Sequence, residues 1–140
     1  MSTFVQTRDI FIAHGWKHSD HILRLREQLD RGSEFDKQFA YVNHGNFDPS
    51  ELEEKDVESL NIAVRNQMAN ADVVLLPVDL YEDNKEWVNK ELKLAQDMEI
   101  PIVLIRSFKN LETPPHLEQT ADEAVVFDPE EIMKVVKNYG

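Results

Sequence analysis

One glutamate, Glu91, two tryptophans and a histidine are the side chains of this sequence whose types and positions could do chemistry together. Residues Lys85 to Met98 follow helical spacing. At about 100° per residue, with Trp87 as origin, Val88, Leu92, Leu94, Ala95 and Met98 fall within an arc from about −20° to about 140°. Lys85, Glu86, Asn89, Lys90, Lys93, Gln96 and Asp97 fill the remainder. Glu91 projects at about 40°, near the middle of the apolar arc. Glu99 projects there too, but at the frayed end before Ile100–Pro101. Burying an unpaired carboxylate costs several kcal/mol, so such a residue is paired, protonated or at the floor of a cleft. Two readings stay open: a structural glutamate satisfied by an internal Lys, Arg or backbone N–H, and a reactive one beside a ligand.

Trp87 lies one turn before Glu91 and shares its face, as a core aromatic or as a cleft wall. Trp16 stands in the segment His14–Gly15–Trp16, where a large aromatic serves as a ligand platform or a lid over the core. Phe47 and Tyr81 are further aromatic candidates. His14, His18 and His21 are close in sequence, but the first ends a strand and the others begin a helix. No partner sits at a recognisable ligand spacing, so no metal is expected. His44 and His116 read as solvent-facing loop residues. There is no glycine-rich phosphate loop with its lysine, no G-x-G-x-x-G after the first strand and no G-x-S-x-G elbow. Asp79 would suit a phosphoacceptor receiver domain, but the acidic pair after strand one and the lysine after strand five are absent. A flavin site would want a hydroxyl-rich first loop, which His14 to Lys17 is not.

The elements that must position these residues alternate from end to end. Strands are expected at Asp9–Ala13, Gln38–Val42, Val73–Leu76, Pro101–Ile105 and Ala124–Phe127. A first helix starts at Ser19 or Asp20 and carries Ile22, Leu25 and Leu29 before Gly32–Ser33 ends it. Others run near Asp56 to Met68, from Lys85 to Met98, briefly after Pro114–Pro115, and from Asp128–Pro129 to about Tyr139. Asn43 to Ser50, with Gly45, Asn46 and Asp48–Pro49, reads as a loop. Strict alternation implies a parallel sheet joined by right-handed crossovers. Five strands in 140 residues suggest one flavodoxin-like α/β domain, residues 1–140, order 2-1-3-4-5. Ligands gather in such a sheet beyond the strands' carboxyl ends, at the switch between the first and third. His14–Gly15–Trp16 and Asp79–Leu80–Tyr81 stand there.

The formal net charge of −12 argues against nucleic acid and anionic membranes as partners, and no Lys/Arg cluster offers a local exception. An anionic small ligand remains open, because helix N-termini bind anions whatever the net charge. The chain has no cysteine, which excludes disulfides, thiolate metal sites and a thiol nucleophile. The polar stretch Met1 to Asp9 lacks the apolar core of a signal peptide, and the apolar runs are strand-sized, so a cytoplasmic address is expected.

Phe11–Ile12–Ala13–His14–Gly15–Trp16, followed by Asp20, resembles the "F-I-S-H-S-W…D" opening of the bacterial TIR-like family that includes the Thoeris antiphage-defence TIR proteins. Asn43 through Pro49 resembles that family's second box, and Trp87–Val88–Asn89–Lys90–Glu91 its W-x-x-x-E helix. Ile100 to Ile105 and Thr113–Pro114 fit its later segments, so the likeness covers nearly the whole chain. Ala13 and Gly15 stand where the opening box has serines, so hydrogen bonds from those hydroxyls are missing here. The resemblance implies a TIR fold and, in catalytic members, cleavage of NAD between nicotinamide and ribose, with the glutamate at Glu91's position essential. Thoeris-type members cyclise the ADP-ribose into a signalling nucleotide on phage infection.

The leading expectation is therefore an NAD glycohydrolase or ADP-ribosyl cyclase acting in antiphage defence, with NAD as substrate and no separate cofactor. Glu91 would be catalytic, and His14, Gly15, Trp16, Phe47, Tyr81 and Trp87 would hold substrate. A phage-derived or protein activator, or self-association through the Asn43–Glu54 loop, would switch it on. The alternatives are a non-catalytic interaction module and a nucleoside 2-deoxyribosyltransferase-like enzyme.

Overall fold

Val73–Val74–Leu75–Leu76 is apolar without interruption, and only a strand covered on both faces accommodates that pattern. The computed structural model, which describes residues 5–139 apart from His18 and Pro49 and the side chains of Leu52 and Glu53, places this run in the middle of a sheet. Expectations attached to Met1–Phe4, His18 and Pro49 lie outside the described residues. The strands are β1 (Gln6–Ile12), β2 (Phe39–Asn43), β3 (Val73–Pro77), β4 (Ile102–Ile105) and β5 (Glu123–Val125). All neighbours pair in parallel, in the order β2-β1-β3-β4-β5. That is the doubly wound flavodoxin-like arrangement, and its switch point lies between β1 and β3.

Alternation along each central strand divides the core in two. Phe11, Val74, Leu76, Ile102 and Leu104 face one side, against α3 (Val57–Met68), α5 (Lys85–Asp97) and α6 (Pro115–Thr120). Ile10, Ile12, Val73, Leu75, Val103 and Ile105 face the other, against α1 (Asp20–Asp30) and α7 (Pro129–Tyr139). The caps follow the chain's polar punctuation. Ser19 Oγ accepts from His21 N at 3.1 Å at the start of α1, Asp56 Oδ1 from Ser59 N at 2.7 Å at α3, and Asp128 Oδ2 from Glu131 N at 3.0 Å at α7. At the far end of α5, Glu99 takes a left-handed φ of 59°. Ile100 N then donates to Ala95 O and Glu99 N to Gln96 O, which is a Schellman closure. Glu99 thereby leaves the apolar arc and is exposed.

Two short helices were not anticipated. α2 (Glu51–Glu54) sits inside the expected loop after β2, and α4 (Val78–Tyr81) follows β3 directly. Each is a single turn, too short to show a period. β1 also begins earlier than Asp9, because Gln6 and Thr7 pair with Phe39 and Ala40 while exposing their side chains. Phe127 falls outside β5, which ends at Val125. His44 and His116 are not free in solvent loops. His44 Nε2 lies 2.9 Å from Asp9 Oδ1, and His116, in α6, meets the Tyr81 hydroxyl at 3.3 Å. Among the described residues no helix is long and apolar enough to cross a membrane.

Gly45 ties the loop after β2 to the end of β1. Asn43 Oδ1 accepts both Gly45 N at 2.9 Å and Ile12 N at 3.0 Å. A Cβ on Gly45 would stand 2.6 Å from the Ile12 carbonyl oxygen, so no larger residue fits this approach. Gly45→Ala should therefore lower stability by about 1–3 kcal/mol, read as a fall in the urea midpoint at unchanged slope.

Candidate active site

Glu91 lies midway along α5, on the face turned to the sheet, and is 1% exposed. Its neighbours Val88, Leu92 and Ala95 are buried with it, as the helical projection requires. Its carboxyl group meets the backbone at the carboxyl end of β1. His14 N donates to Oε2 at 3.1 Å and Gly15 N donates to Oε1 at 2.5 Å. No Lys or Arg reaches it among the described residues, and the nearest titratable group is His14 Nε2 at 3.8 Å. Of the possible structural partners, it is backbone N–H that satisfies this glutamate.

The turn that aims those two N–H groups depends on Gly15, whose φ is +59°. A Cβ there would come within 3.0 Å of Val88 Cγ2, so glycine also lets α5 approach the strand end. Asn84, just before α5, donates from Nδ2 to Gly15 O at 2.8 Å, while its own carbonyl accepts Val88 N at 3.0 Å. Helix and turn are thus locked at both edges of the glycine.

Trp16 follows at φ +60°, a conformation that is strained for a bulky residue. It is 2% exposed, and among the described residues its indole Nε1 has no hydrogen-bond partner. Its backbone N–H donates to His14 Nδ1 at 2.9 Å. An accepting Nδ1 puts the neutral imidazole's proton on Nε2, the nitrogen nearest Glu91. Among the described residues that N–H makes no full hydrogen bond, although the Gln67 side chain lies near enough to favour its proton. Phe47 stacks on His14 with centroids 4.4 Å apart and planes 15° from parallel. Trp16 stands edge-on to His14, Phe47 and Trp87 at 5.1, 6.1 and 6.3 Å. Trp87 is half-buried, with Lys90 Nζ 5.6 Å from its ring centre.

The structure therefore gathers Glu91, His14, Gly15, Trp16, Phe47 and Trp87 in one group, under an aromatic cover. Tyr81 is turned to other partners, its hydroxyl donating to Asn89 Oδ1 at 3.1 Å beside His116. Asn43, Gly45 and Asn84 position the group and were not singled out from sequence. Gly45 and Asn46 were legible as turn formers, but the contacts that Asn43, Gly45 and Asn84 make to the end of β1 are long-range. Asp79 accepts Ser107 Oγ at 2.7 Å and Phe108 N at 3.1 Å, and so anchors the loop after β4. No group of three or more His, Cys, Asp or Glu gathers for a metal among the described residues.

Burial decides the protonation states here. It pushes the Glu91 carboxyl up to about 8, against the pull of the His14 and Gly15 N–H groups. It pushes the His14 imidazole down to about 4. At neutral pH the closed site holds a neutral histidine and favours a carboxylic acid. The linked stability effects have opposite signs. A raised carboxyl loses stabilisation as pH rises from 4.5 to about 8, and a depressed histidine gains it from about 4 to 6.5. The two offset each other up to 6.5, above which only Glu91 acts. Unfolding free energy should fall by about 2 kcal/mol between pH 6.5 and 8, and Glu91→Gln should remove that decline in urea titrations at each pH.

A family model described as the TIR-like domain of the Thoeris protein ThsB matches residues 11–111, a span from the last two residues of β1 through the Phe47 loop and α5 to beyond β4. Among solved structures, the Clostridium botulinum CMP N-glycosidase BcmB superposes at a TM-score of 0.52 and 12% identity, covering 95% of this chain and 100% of its own. A de novo designed Rossmann 2x3 protein gives 0.44 at 13% identity, over 94% of this chain and 87% of the design. No curated protein matches the sequence. The match over residues 11–111 establishes that the chain belongs to the TIR-like domain family of the Thoeris protein ThsB.

Proposed function

We propose that this domain consumes NAD, breaking the bond between nicotinamide and ribose, and passes the ADP-ribose to a cyclic signalling nucleotide in antiphage defence. The observation that carries this reading is a buried carboxyl group without a Lys or Arg partner among the described residues, at the carboxyl edge of the sheet between β1 and β3. Departure of nicotinamide turns a pyridinium cation into a neutral molecule, so no general acid is demanded. The ribose left behind is oxocarbenium-like and needs negative charge and hydrogen bonds to its hydroxyls. A carboxylate supplies both, and its field is least screened where water is excluded. The neighbour named a CMP N-glycosidase acts, by its name, on the same class of bond, and it shares this architecture.

Substrate reaches Glu91 only once the cover shifts, because the carboxyl group is 1% exposed. Phe47 and Trp16 are the parts that would move. Phe47 sits on the loop after β2, and Trp16 carries both a left-handed φ and an unpaired indole N–H, which the closed state leaves unrelieved. Opening would admit water, lower the carboxyl's affinity for its proton and produce the charged form the reaction requires. The closed domain is then silent for an electrostatic reason, and an activator or self-association that displaces the Phe47 loop releases it. His14 would place its Nε2–H against a ribose hydroxyl or against the carboxylate, with its tautomer set by Trp16 N.

The other reading, an interaction module, draws on one observation: both Glu91 oxygens already serve backbone N–H groups, as a purely structural glutamate would. Chromatography of NAD incubated with concentrated protein separates the two. The enzyme releases nicotinamide, and Glu91→Gln lowers that release by about 100-fold or more with the fold retained. Equal release from both proteins would overturn the assignment of Glu91.

A further inference from the structure

Phe108, in the loop after β4, gathers basic side chains around a single ring. Arg24 Cζ lies 4.5 Å from its centroid and Lys109 Nζ 5.4 Å. The His21 imidazole stands 6.0 Å away, with its Nδ1 buried and without a partner. With Lys17 these residues border an open cavity of about 390 Å³ beyond the carboxyl ends of the strands. Arg24 and Lys109 have no carboxylate partner among the described residues, and an aromatic face is what they share. Asp20 and Asp83 also border the cavity, but Asp83 Oδ2 is occupied by the Ser19 hydroxyl at 2.8 Å, and three cations outnumber the pair.

The arrangement is held in advance of any ligand. Asp79 fixes the loop through Ser107 Oγ and Phe108 N, Ser107 Oγ accepts Lys109 N at 3.1 Å, and Phe127 braces the Phe108 ring at 5.8 Å. The cavity is also close in chain to the Glu91 turn. Lys17 is two residues beyond Gly15, and its Nζ reaches Asp83 O at 3.4 Å, next to the Asn84 that holds Gly15 O. A guanidinium fork and an ammonium group on one polarisable ring, with a second ammonium group at the cavity's border, suit a ligand with several phosphate oxygens. Net repulsion from the acidic surface is screened within about 8–10 Å at physiological salt, so the local cations govern binding.

We propose that the cavity around Phe108 binds the diphosphate of the dinucleotide whose nicotinamide end is handled at Glu91. This rests on the NAD-consuming reading for the ligand's identity. The test titrates inorganic pyrophosphate, ADP-ribose and, as a phosphate-free control, adenosine into the protein at fixed salt. The ring resonances of Phe108 and His21 are followed by NMR, and affinity by calorimetry. Pyrophosphate and ADP-ribose should move both rings while adenosine does not. Arg24→Gln combined with Lys109→Gln should weaken both phosphate ligands about tenfold or more at unchanged melting temperature. Rings that stay still, or a double variant binding as tightly as the parent, would overturn the site whatever the NAD assay gives. Diphosphate binding retained in a protein unable to cleave NAD would uphold the cavity and remove only the reaction.

Discussion

Two backbone N–H groups at the end of β1 meet one carboxyl group from the middle of α5, and much of this molecule is arranged around that contact. Among the described residues Glu91 has no Lys or Arg counter-ion, so the His14 and Gly15 amides and the surrounding dryness set its properties. The contact requires a left-handed turn at residue 15, which glycine allows, and a helix close enough to touch it, which the missing Cβ also allows. Asn84 then secures the turn from the other side. A strand end, a turn and a helix are coupled through one side chain, so displacing any of them alters its charge state.

The cover over Glu91 shows competing terms left unresolved. Stacking of Phe47 on His14 and edge contacts to Trp16 favour closure, as does apolar burial. Against it stand the strained φ of Trp16, its unpaired indole N–H and a carboxyl group kept from water. Each opposing effect is worth on the order of 1–3 kcal/mol, comparable to what a few aromatic contacts return. A balance of that size is one that a ligand or a partner can tip. In the proposed reaction the same balance decides whether Glu91 is an acid or a carboxylate, so access and reactivity change together.

Away from this centre the fold is conventional, and its regularity is functional. Alternation along β1, β3 and β4 fills two cores and keeps the central strands parallel and in register. The carboxyl ends of those strands therefore emerge at one edge. Both the Glu91 turn and the Phe108 loop hang from that edge, the second secured by Asp79 immediately after β3. Asp79 was noticed in the sequence as a receiver-like acid. Its place in the structure is that of a bracket for the β4 loop.

Periodicity alone determined the central strands, the long helices and the inward aim of Glu91, because side-chain direction repeats every two or 3.6 residues whatever lies opposite, and the alternation of strand with helix suggested the sheet order. The aromatic residues after β1 and β2 were visible as large side chains in loops. Their convergence on His14 was not, because it depends on contacts between segments some thirty or more residues apart (Asn43 to Ile12, Asn84 to Gly15) that leave no local period. Single-turn helices such as α4 were invisible for a related reason, and Tyr81 was expected at the crevice when packing turns it toward Asn89. Sequence could say that Glu91 faces inward, but only tertiary structure could choose its partner. The energy of a buried carboxyl group depends on the dipoles brought to it, and those come from elsewhere in the chain.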